Sequence, residues 1–373
     1  MKINWIEYEN IRTGLKINRL SFNDLTLLVG VSGAGKTNIL DGIGFFKKIV
    51  QREYTWDMFE TALGMSFEIE GNEYEWHIKF GKESVQDYEN KIEDKGNIKV
   101  PVLEELLLID NYPHFKKQHD GIMYKGTKIP GLSHTMSCIN LFEGDDIVKK
   151  VSTAFEYVLM YSTYSEQPEQ IAPLPREAVD RIKASGDISN ILQGDSHPYA
   201  KLCFLQAKQE NEIFEDIKQV YCDIFKTVED LYFELDKNTN AYVLYQAEKD
   251  VPAPIRYESL SSGMFKVLLL LTNIFTCREG SVFLIDEFEN SFGVNCLEEV
   301  VEIVQDNEDM FQFIITSHHP YIINNVDITD WSVVERKGSV ITARPAKELK
   351  IGSTRHDAFF ELINYWDYEE NSI

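Results

Sequence analysis

The sequence predicts an α/β protein with a parallel-sheet core, an antiparallel β-subdomain and a helical insertion. Near the N-terminus, an apolar run at 25–29 leads through a glycine-rich loop into a predicted helix. Two later apolar runs, at 282–285 and 311–315, have the length and composition of strands that are buried on both faces. Residues 65–80 alternate apolar and polar side chains around a central glycine, which is typical of a β-hairpin.

The motifs divide the chain into three predicted domains, residues 1–100, 101–240 and 241–373. The first contains the glycine-rich loop and the hairpin, and the third contains the later motifs. We expect the middle domain to be mainly helical, because apolar residues recur every three or four positions over 145–161 and 200–235. The second stripe favours a long helix packed on the body of the protein, with a projecting arm as the alternative.

Composition limits the class of protein. The 373 residues carry a net charge of −24 and a pI near 4.7, so the mean field repels a nucleic-acid backbone and any DNA contact needs a local basic patch. None of the five cysteines forms a C-x-x-C pair, which argues against a zinc site or a disulfide framework. Because neither a signal peptide nor a membrane-length apolar run is evident, we expect a cytoplasmic protein with no membrane partner.

The glycine-rich loop, Gly30–Thr37, fits the pattern G-x-x-x-x-G-K-[ST] of the Walker A phosphate loop, between a strand and a helix as that motif requires. Glycine lets the backbone wrap around a phosphate, and the start of the following helix attracts an anion. Lys36 is then expected to reach the β- and γ-phosphates of ATP, and Thr37 to hold Mg²⁺. The candidate nucleotide-binding residues of this segment are Gly30, Ser32, Gly33, Ala34, Gly35, Lys36, Thr37 and Asn38.

Two carboxylates, Asp286 and Glu287, follow the apolar run at 282–285 in the manner of a Walker B motif. Ligands of open α/β sheets bind at this carboxyl end of the strands. Asp286 is expected to hold Mg²⁺, directly or through water. Glu287 is expected to act as the general base or to orient the attacking water. An acidic turn without chemistry is the alternative, which a preceding Walker A motif disfavours.

The run Leu260-Ser261-Ser262-Gly263-Met264 precedes an apolar helix and resembles the LSGGQ signature of ABC-type ATPases. Leu260, Ser261 and Gly263 match the signature, whereas Ser262 and Met264 depart from it. Such departures are similar to those of the SMC, RecF and OLD-like branch. The resemblance implies that Ser261, Ser262 and Gly263 contact the γ-phosphate of an ATP held by a second subunit, and Ser261 is also a suitable helix N-cap.

The loop Thr316–Pro320 follows the third apolar run and resembles the switch-histidine loop of the same family. His318 aligns with the switch position, which implies that its imidazole senses the γ-phosphate and orients water. His319 is the alternative for this role.

Two further segments resemble the family. Asn10-Ile11-Arg12 is similar to the N-F-R run that opens RecF- and SMC-like heads, which implies that Arg12 touches the nucleotide; a surface arginine is an equal alternative. Glu289–Gly293 lies where the family has its D-loop, although its last residues depart from the OLD-like form.

Together, the resemblance implies a P-loop NTPase of the ABC-ATPase head type that dimerises on ATP and hydrolyses it with Mg²⁺. It further implies a sensor or regulatory switch for a separate effector protein, such as a nuclease or toxin, in bacterial anti-phage defence. The alternative is a RecF- or SMC-like DNA-binding ATPase in repair or chromosome maintenance. A transporter subunit and a small-molecule kinase fit the motifs less well.

Overall fold

The computed structural model describes residues 1–82, 98–129, 135–162, 167–185, 196–208, 212–293, 296–349, 351 and 360–365. The chain forms two compact units. The first contains Met1–Met160, Gly280–Leu284 and Asp309–Ile373, and the second contains Tyr161–Glu279 and Ile285–Glu308. Among the described residues, no helix combines the length and the hydropathy that crossing a bilayer requires.

The strands of the described residues are β1 (Lys2–Asn10), β2 (Lys16–Ser21), β3 (Leu25–Val29), β4 (Thr61–Ile69), β5 (Asn72–Phe80), β6 (Val102–Ile109), β7 (Tyr112–Gln118), β8 (Gly121–Tyr124), β9 (Thr127–Ile129), β10 (Val158–Tyr161), β11 (Leu174–Pro175), β12 (Val228–Asp236), β13 (Ala241–Glu248), β14 (Ile255–Arg256), β15 (Val282–Ile285), β16 (Gln312–Thr316), β17 (Trp331–Lys337) and β18 (Val340–Pro345).

The α-helices of the described residues are α1 (Lys36–Val50), α2 (Cys138–Leu141), α3 (Asp146–Glu156), α4 (Arg176–Ser185), α5 (Pro198–Ala207), α6 (Glu212–Ile224), α7 (Ser262–Thr276), α8 (Phe288–Phe292), α9 (Leu297–Asp306) and α10 (Pro320–Asn325). Single 3-10 turns occur at Trp56–Met58, Pro168–Gln170, Tyr257–Ser259, Ile328–Asp330 and Ala346–Leu349.

A large sheet orders the described strands as β10-β15-β16-β3-β17-β18-β2-β1-β4-β5-β6-β7-β8-β9. Strands β16 and β17 both run parallel to β3, with Phe313 opposite Leu25 and Val333 opposite Val29. From β2 to β9 every neighbouring pair is antiparallel. The predicted combination of a parallel core and an antiparallel β-subdomain is therefore confirmed.

Helix α1 packs its apolar stripe on this sheet because Ile39, Ile43 and Phe46 recur at helical spacing and are fully buried. The ring centroid of Phe46 lies 4.9 Å from that of Trp76 on β5, in an edge-to-face arrangement. Phe155 of α3 joins the same aromatic cluster, 5.8 Å from Trp76. The packing of α1 therefore fixes the position of the glycine-rich loop that precedes it.

The predicted hairpin at 65–80 is confirmed and is longer than expected. Strands β4 and β5 are joined at Glu70 and Gly71, whose φ angles of 53° and 80° are both positive. Two consecutive positive φ values fit the twist of a tight hairpin, and glycine adopts one of them without strain.

The helical prediction for the middle segment is wrong in two places. Residues 102–129 form β6 to β9 of the large sheet. The predicted helix over 200–235 is broken into α5 and α6, and its last part is strand β12, so a long projecting helix is absent from the described residues. Val228 and Leu231 fit helical spacing, but pairing of β12 with β13 decides the structure.

The second unit has its own small sheet, in which β13 lies between β11 and β12 and also pairs with β14. Its core includes the buried Tyr221, whose hydroxyl donates to the Gln246 amide oxygen at 2.9 Å. Tyr199 of α5 and Phe265 of α7 bring their ring centroids within 6.2 Å. This packing fixes α7, which begins with the signature residues.

Candidate nucleotide-binding site

The first and last glycines of the phosphate-loop pattern lie so close to neighbouring strands that a larger residue would not fit. A Cβ added at Gly30 would lie 2.6 Å from the carbonyl oxygen of Val334 on β17. Gly35 has a φ of 97°, and a Cβ there would lie 2.3 Å from Cδ1 of Ile341 on β18. Glycine at these positions lets the loop pack directly on the sheet.

The centre of the loop presents its backbone to solvent. Ser32 and Gly33 are exposed, Gly33 has a φ of 81°, and nothing lies within 4 Å of a Cβ added there. No described residue accepts a hydrogen bond from the backbone N–H of Ser32, Gly33 or Gly35. By contrast, Ala34 is buried and its N–H donates to Val31 O at 3.1 Å. An exposed loop that offers these backbone donors at a helix start fits a phosphate.

Lys36 begins α1, and its Nζ donates to the carbonyl oxygens of Gly30 and Val31 at 2.7 and 3.2 Å. The ammonium therefore lies at the loop itself. Thr37 and Asn38 follow in the first turn, where Thr37 is exposed and Asn38 is half-buried. A hydroxyl oxygen at position 37 is the kind of hard ligand that Mg²⁺ prefers.

Parallel pairing brings the switch-histidine loop to the same edge of the sheet as the phosphate loop. Thr316 at the end of β16 pairs with Leu28 of β3, and the Ser317 N–H donates to Leu28 O at 3.4 Å. His318 follows with an exposed side chain. The loops after β3 and β16 thus leave the sheet side by side.

The alternative histidine has a structural contact. His319 is the N-cap of α10, where its Nδ1 accepts a hydrogen bond from the Tyr321 N–H at 3.3 Å. Its own N–H donates to Ser317 Oγ at 3.0 Å. The bond from the Tyr321 N–H holds the His319 ring on its helix.

Arg12 lies on the exposed turn between β1 and β2. The turn is closed by Asn10, whose Oδ1 accepts from the Thr13 N–H at 2.9 Å. The Lys16 N–H donates to Ser339 O at 2.8 Å, which fixes this turn beside the β17–β18 turn. The position of Arg12 is accessible to a ligand, and its role stays a prediction.

The second unit holds Asp286 and Glu287 at the end of the fully buried β15. The Asp286 N–H donates to Tyr161 O at 2.8 Å, which extends the strand ladder by one residue. Glu287 has φ 48° and ψ 63° and is the N-cap of α8. A left-handed conformation is uncommon for a residue other than glycine and turns the chain sharply after the strand.

Two residues that the sequence analysis did not assign to the site support these carboxylates. The Ser291 hydroxyl donates to Asp286 O at 2.8 Å, and Ser291 is fully buried. The Asn290 side-chain amide donates to Glu287 Oε2 at 3.2 Å. The place of Glu289–Gly293 directly after the carboxylates was the signal that could have identified them.

The signature residues begin helix α7, in the second unit. Ser261 caps the helix, and its Oγ accepts from the Met264 N–H at 3.2 Å. Ser261 and Ser262 are exposed, whereas Gly263 packs on α8: a Cβ added there would lie 2.5 Å from Phe292 O. The capping expected for Ser261 is confirmed, and Gly263 also has a packing role.

Comparisons with known proteins bear on this arrangement. Residues 170–324 match a family model described as AAA domain, putative AbiEii toxin, Type IV TA system. The structure is similar to an SMC head bound to the C-winged-helix domain of ScpA, with a TM-score of 0.55, 13 % identity, and coverage of 94 % of this chain and 100 % of the other. This chain has the fold of an SMC-type ATPase head.

A second solved structure agrees with this fold. It is the Smc head domain with an extended coiled coil bound to the C-terminal domain of ScpA, from Pyrococcus furiosus. The TM-score is 0.51 at 11 % identity, over 94 % of this chain and 98 % of the other. A search of the curated proteins finds no match. The expected fold of an SMC-type head is confirmed.

Within this fold, the first unit carries the phosphate loop, the switch-histidine loop and the Arg12 turn. The second unit carries Asp286, Glu287 and the signature residues Ser261–Gly263. No described group of three or more histidine, cysteine or acidic side chains has the geometry of a metal site.

Proposed function

We propose that this chain binds ATP with Mg²⁺ at Gly30–Thr37 and hydrolyses it. The observation that carries the proposal is the exposed loop with unpaired backbone donors and the Lys36 ammonium at its edge. Lys36 binds the β- and γ-phosphates, and Thr37 and Asp286 hold the metal ion. Mg²⁺, when bound, neutralises charge on the phosphates. Glu287 activates or orients the attacking water, and His318 contacts the γ-phosphate.

Two copies of the chain close on ATP in this proposal. Ser261, Ser262 and Gly263 of one copy contact the γ-phosphate held by the other. The exposed serines at the start of the 15-residue helix α7 support this role, because helix N-termini attract anions. Ile11 and Val31, which are apolar and 48 % and 40 % exposed beside Arg12 and in the phosphate loop, fit an interface that forms only in the dimer.

The dimer acts as a sensor or regulatory switch for a separate effector protein, such as a nuclease or toxin, in bacterial anti-phage defence. The net charge of −24 suits a protein partner better than a nucleic acid. The matched family model is named after a toxin of a toxin–antitoxin system, and both similar SMC heads are bound to a domain of ScpA. A RecF- or SMC-like DNA-binding ATPase is the second candidate, supported by the fold alone.

The ATPase proposal is tested with Glu287→Gln, which keeps the shape of the side chain but removes the charge. With ATP and Mg²⁺, we expect this variant to bind nucleotide, to hydrolyse it poorly and to accumulate as a dimer in light scattering. Glu298→Gln, on the exposed surface of α9 in the same unit, is the control and retains wild-type turnover. Unimpaired hydrolysis by Glu287→Gln contradicts the assignment.

The biological role is tested by affinity capture with tagged Glu287→Gln, ATP and Mg²⁺ in cells of the source organism. Stoichiometric recovery of one protein without nucleic acid supports the effector switch. Recovery of nuclease-sensitive nucleic acid without a protein partner supports the DNA-binding candidate. Binding that weakens steeply with salt would identify phosphate contacts in the second case.

A further inference from the structure

The short helix α8 touches both the Walker B glutamate and the start of the signature helix. It begins directly after Glu287 and ends at Phe292, beside Gly263 of α7. Every residue of this connection lies in the second unit. Helix α8 thus lies between the two motifs within one chain and contacts both.

The Glu287 backbone is held in a conformation that is costly for a residue with a Cβ. A left-handed conformation is strained in a non-glycine residue and persists where neighbours fix it. Here the N–H groups of Asn290 and Ser291 donate to Glu287 O at 2.8 and 2.9 Å. The Ser291 hydroxyl fixes the preceding carbonyl, that of Asp286. The first turn of α8 therefore sets the direction in which the Glu287 side chain leaves the backbone.

Asn290 adds a contact to the side chain itself. Its amide donates to Glu287 Oε2 at 3.2 Å, and its side chain is exposed. An ionised carboxylate only accepts hydrogen bonds, so the NH₂ group of Asn290, and not its oxygen, must face Glu287. One donor on one carboxylate oxygen restricts rotation of the Glu287 carboxylate.

The opposite end of α8 is in contact with the start of the signature helix. A Cβ added at Gly263 would lie 2.5 Å from Phe292 O and 3.0 Å from Phe292 C, so the two backbones are in direct contact. The Cys296 thiol also lies 3.1 Å from Phe292 O. Closely packed backbone cannot absorb a displacement by a change of rotamer. A displacement of the start of α7 would therefore meet Phe292 directly.

We infer that Asn290 is a positioning residue for Glu287, and that α8 couples the signature helix to the Glu287 carboxylate. When a second copy's ATP engages Ser261 and Ser262, the start of α7 shifts against Phe292, and Asn290 brings the carboxylate into its productive orientation. This engagement then raises the rate at which Glu287 acts on the ATP of its own copy, and a slower hydrolysis continues without it. This inference rests on the proposed function, in which Glu287 acts on the attacking water.

The test uses Asn290→Asp, which is nearly isosteric but replaces the donor by a second carboxylate, and Asn290→Ala. For both variants we expect kcat to fall about 10- to 100-fold, the range for a misplaced catalytic group, with the Kd for ATP unchanged. The matched control is Asn307→Ala, in the same unit. It removes the hydrogen bond that the Asn307 side-chain amide donates to Ile303 O, and we expect it to keep wild-type kcat.

A second readout does not depend on turnover being measured. After excess ATP is removed, the lifetime of the dimer is followed by light scattering. Slower hydrolysis through a misplaced Glu287 lengthens this lifetime, whereas a variant with a damaged fold shortens it. In the Glu287→Gln background, Asn290→Ala is expected to cause no further loss of kcat, because both changes act on the same carboxylate.

The outcomes separate this inference from the proposed function. If Glu287→Gln hydrolyses ATP like the wild type, the proposed function fails and the inference fails with it. If Glu287→Gln is slow but Asn290→Asp has wild-type kcat and dimer lifetime, only the positioning role of Asn290 is wrong. A parallel loss of ATP affinity in the Asn290 variants also overturns that role.

Discussion

Gly263 and Phe292 are in backbone contact, so close that a methyl group on Gly263 would lie 2.5 Å from the Phe292 carbonyl oxygen. The signature glycine is therefore needed for packing within the chain, whatever it contacts in a second copy. A substitution of Gly263 therefore changes the packing within the chain as well as any contact with a second copy. Ser262 is exposed, so a substitution there changes the signature surface without disturbing this packing.

Gly263→Ala is expected to destabilise the protein by about 1–3 kcal/mol, the usual cost of forcing extra atoms into a packed contact. Urea unfolding measures this loss. Gly144→Ala is the control, because nothing lies within 4 Å of a Cβ added at Gly144, which is exposed. Equal stability of Gly263→Ala and the wild type would show that α7 and α8 are less tightly packed than described.

The two adjacent histidines are expected to differ when substituted. His318→Ala should lower kcat by about 100-fold, which is within the range for a positioned acid–base or water-orienting group, without changing thermal stability. His319→Ala should remove the α10 cap and cost about 1 kcal/mol, with a smaller effect on kcat. Parallel measurements of kcat and the melting temperature test the assignment, and the reverse pattern would exchange the two roles.

The stability of the first unit is expected to depend on pH through Asp145, whose side chain is only 3 % exposed. Burial alone raises the pKa of Asp145, but hydrogen bonds from Lys125, Tyr124, the Val148 N–H and His114 outweigh it and hold the pKa well below its usual value. A lowered pKa stabilises the fold above the unfolded value, near pH 4, and this contribution is lost as the pH falls further.

Asp145→Asn is therefore expected to lower the free energy of unfolding by about 1–3 kcal/mol at neutral pH, because the side chains and the N–H group that donate to Asp145 lose a charged acceptor. The difference from the wild type should shrink as the pH falls below about 4. Urea unfolding across this range measures it. Asp120→Asn is the control, since Asp120 pairs with Lys128 in solvent and should matter little at any pH.

Lys36→Ala is expected to weaken ATP binding about 10- to 100-fold, the effect of losing charged hydrogen bonds worth roughly 1.5–3 kcal/mol. Titration with a fluorescent ATP analogue gives the Kd. Lys48→Ala serves as the control on the same helix, where the Lys48 Nζ lies 5.5 Å from the Phe45 ring centroid. Unchanged affinity in Lys36→Ala would mean that the loop does not bind the phosphates.

Short-range patterns predicted the parts of the fold that are fixed locally. Gly30 and Gly35 fit a phosphate loop because their pattern is contiguous, and the loop indeed requires glycine at both positions. The hairpin at 65–80 followed from alternation around Gly71. The parallel strands β3 and β16 were recognisable because strands buried on both faces are continuous apolar runs.

Long-range pairing was not predictable from these patterns. Glu105 is 1 % exposed within β6, and its carboxylate is satisfied by Trp76 Nε1 and by Ser137 and Cys138, which are distant in sequence. A buried carboxylate breaks the alternation that identifies a strand. Likewise, the support of Glu287 by Asn290 depends on the left-handed turn at Glu287, which residue spacing does not reveal.

The central claim is that each ATP site is built from two copies of this chain, and a mixing experiment tests it most directly. Lys36→Ala lacks the phosphate contact, and Ser262→Arg blocks the signature while its own phosphate loop stays intact. Each variant alone should be inactive, and Ser262→Arg should still bind ATP. Mixing them forms heterodimers with one complete site, so we expect ATP hydrolysis to reappear. The rate should stay below that of the wild type, because the signature of the ATP-binding copy is blocked. A mixture as inactive as its components, or full activity of Ser262→Arg alone, would contradict the composite site.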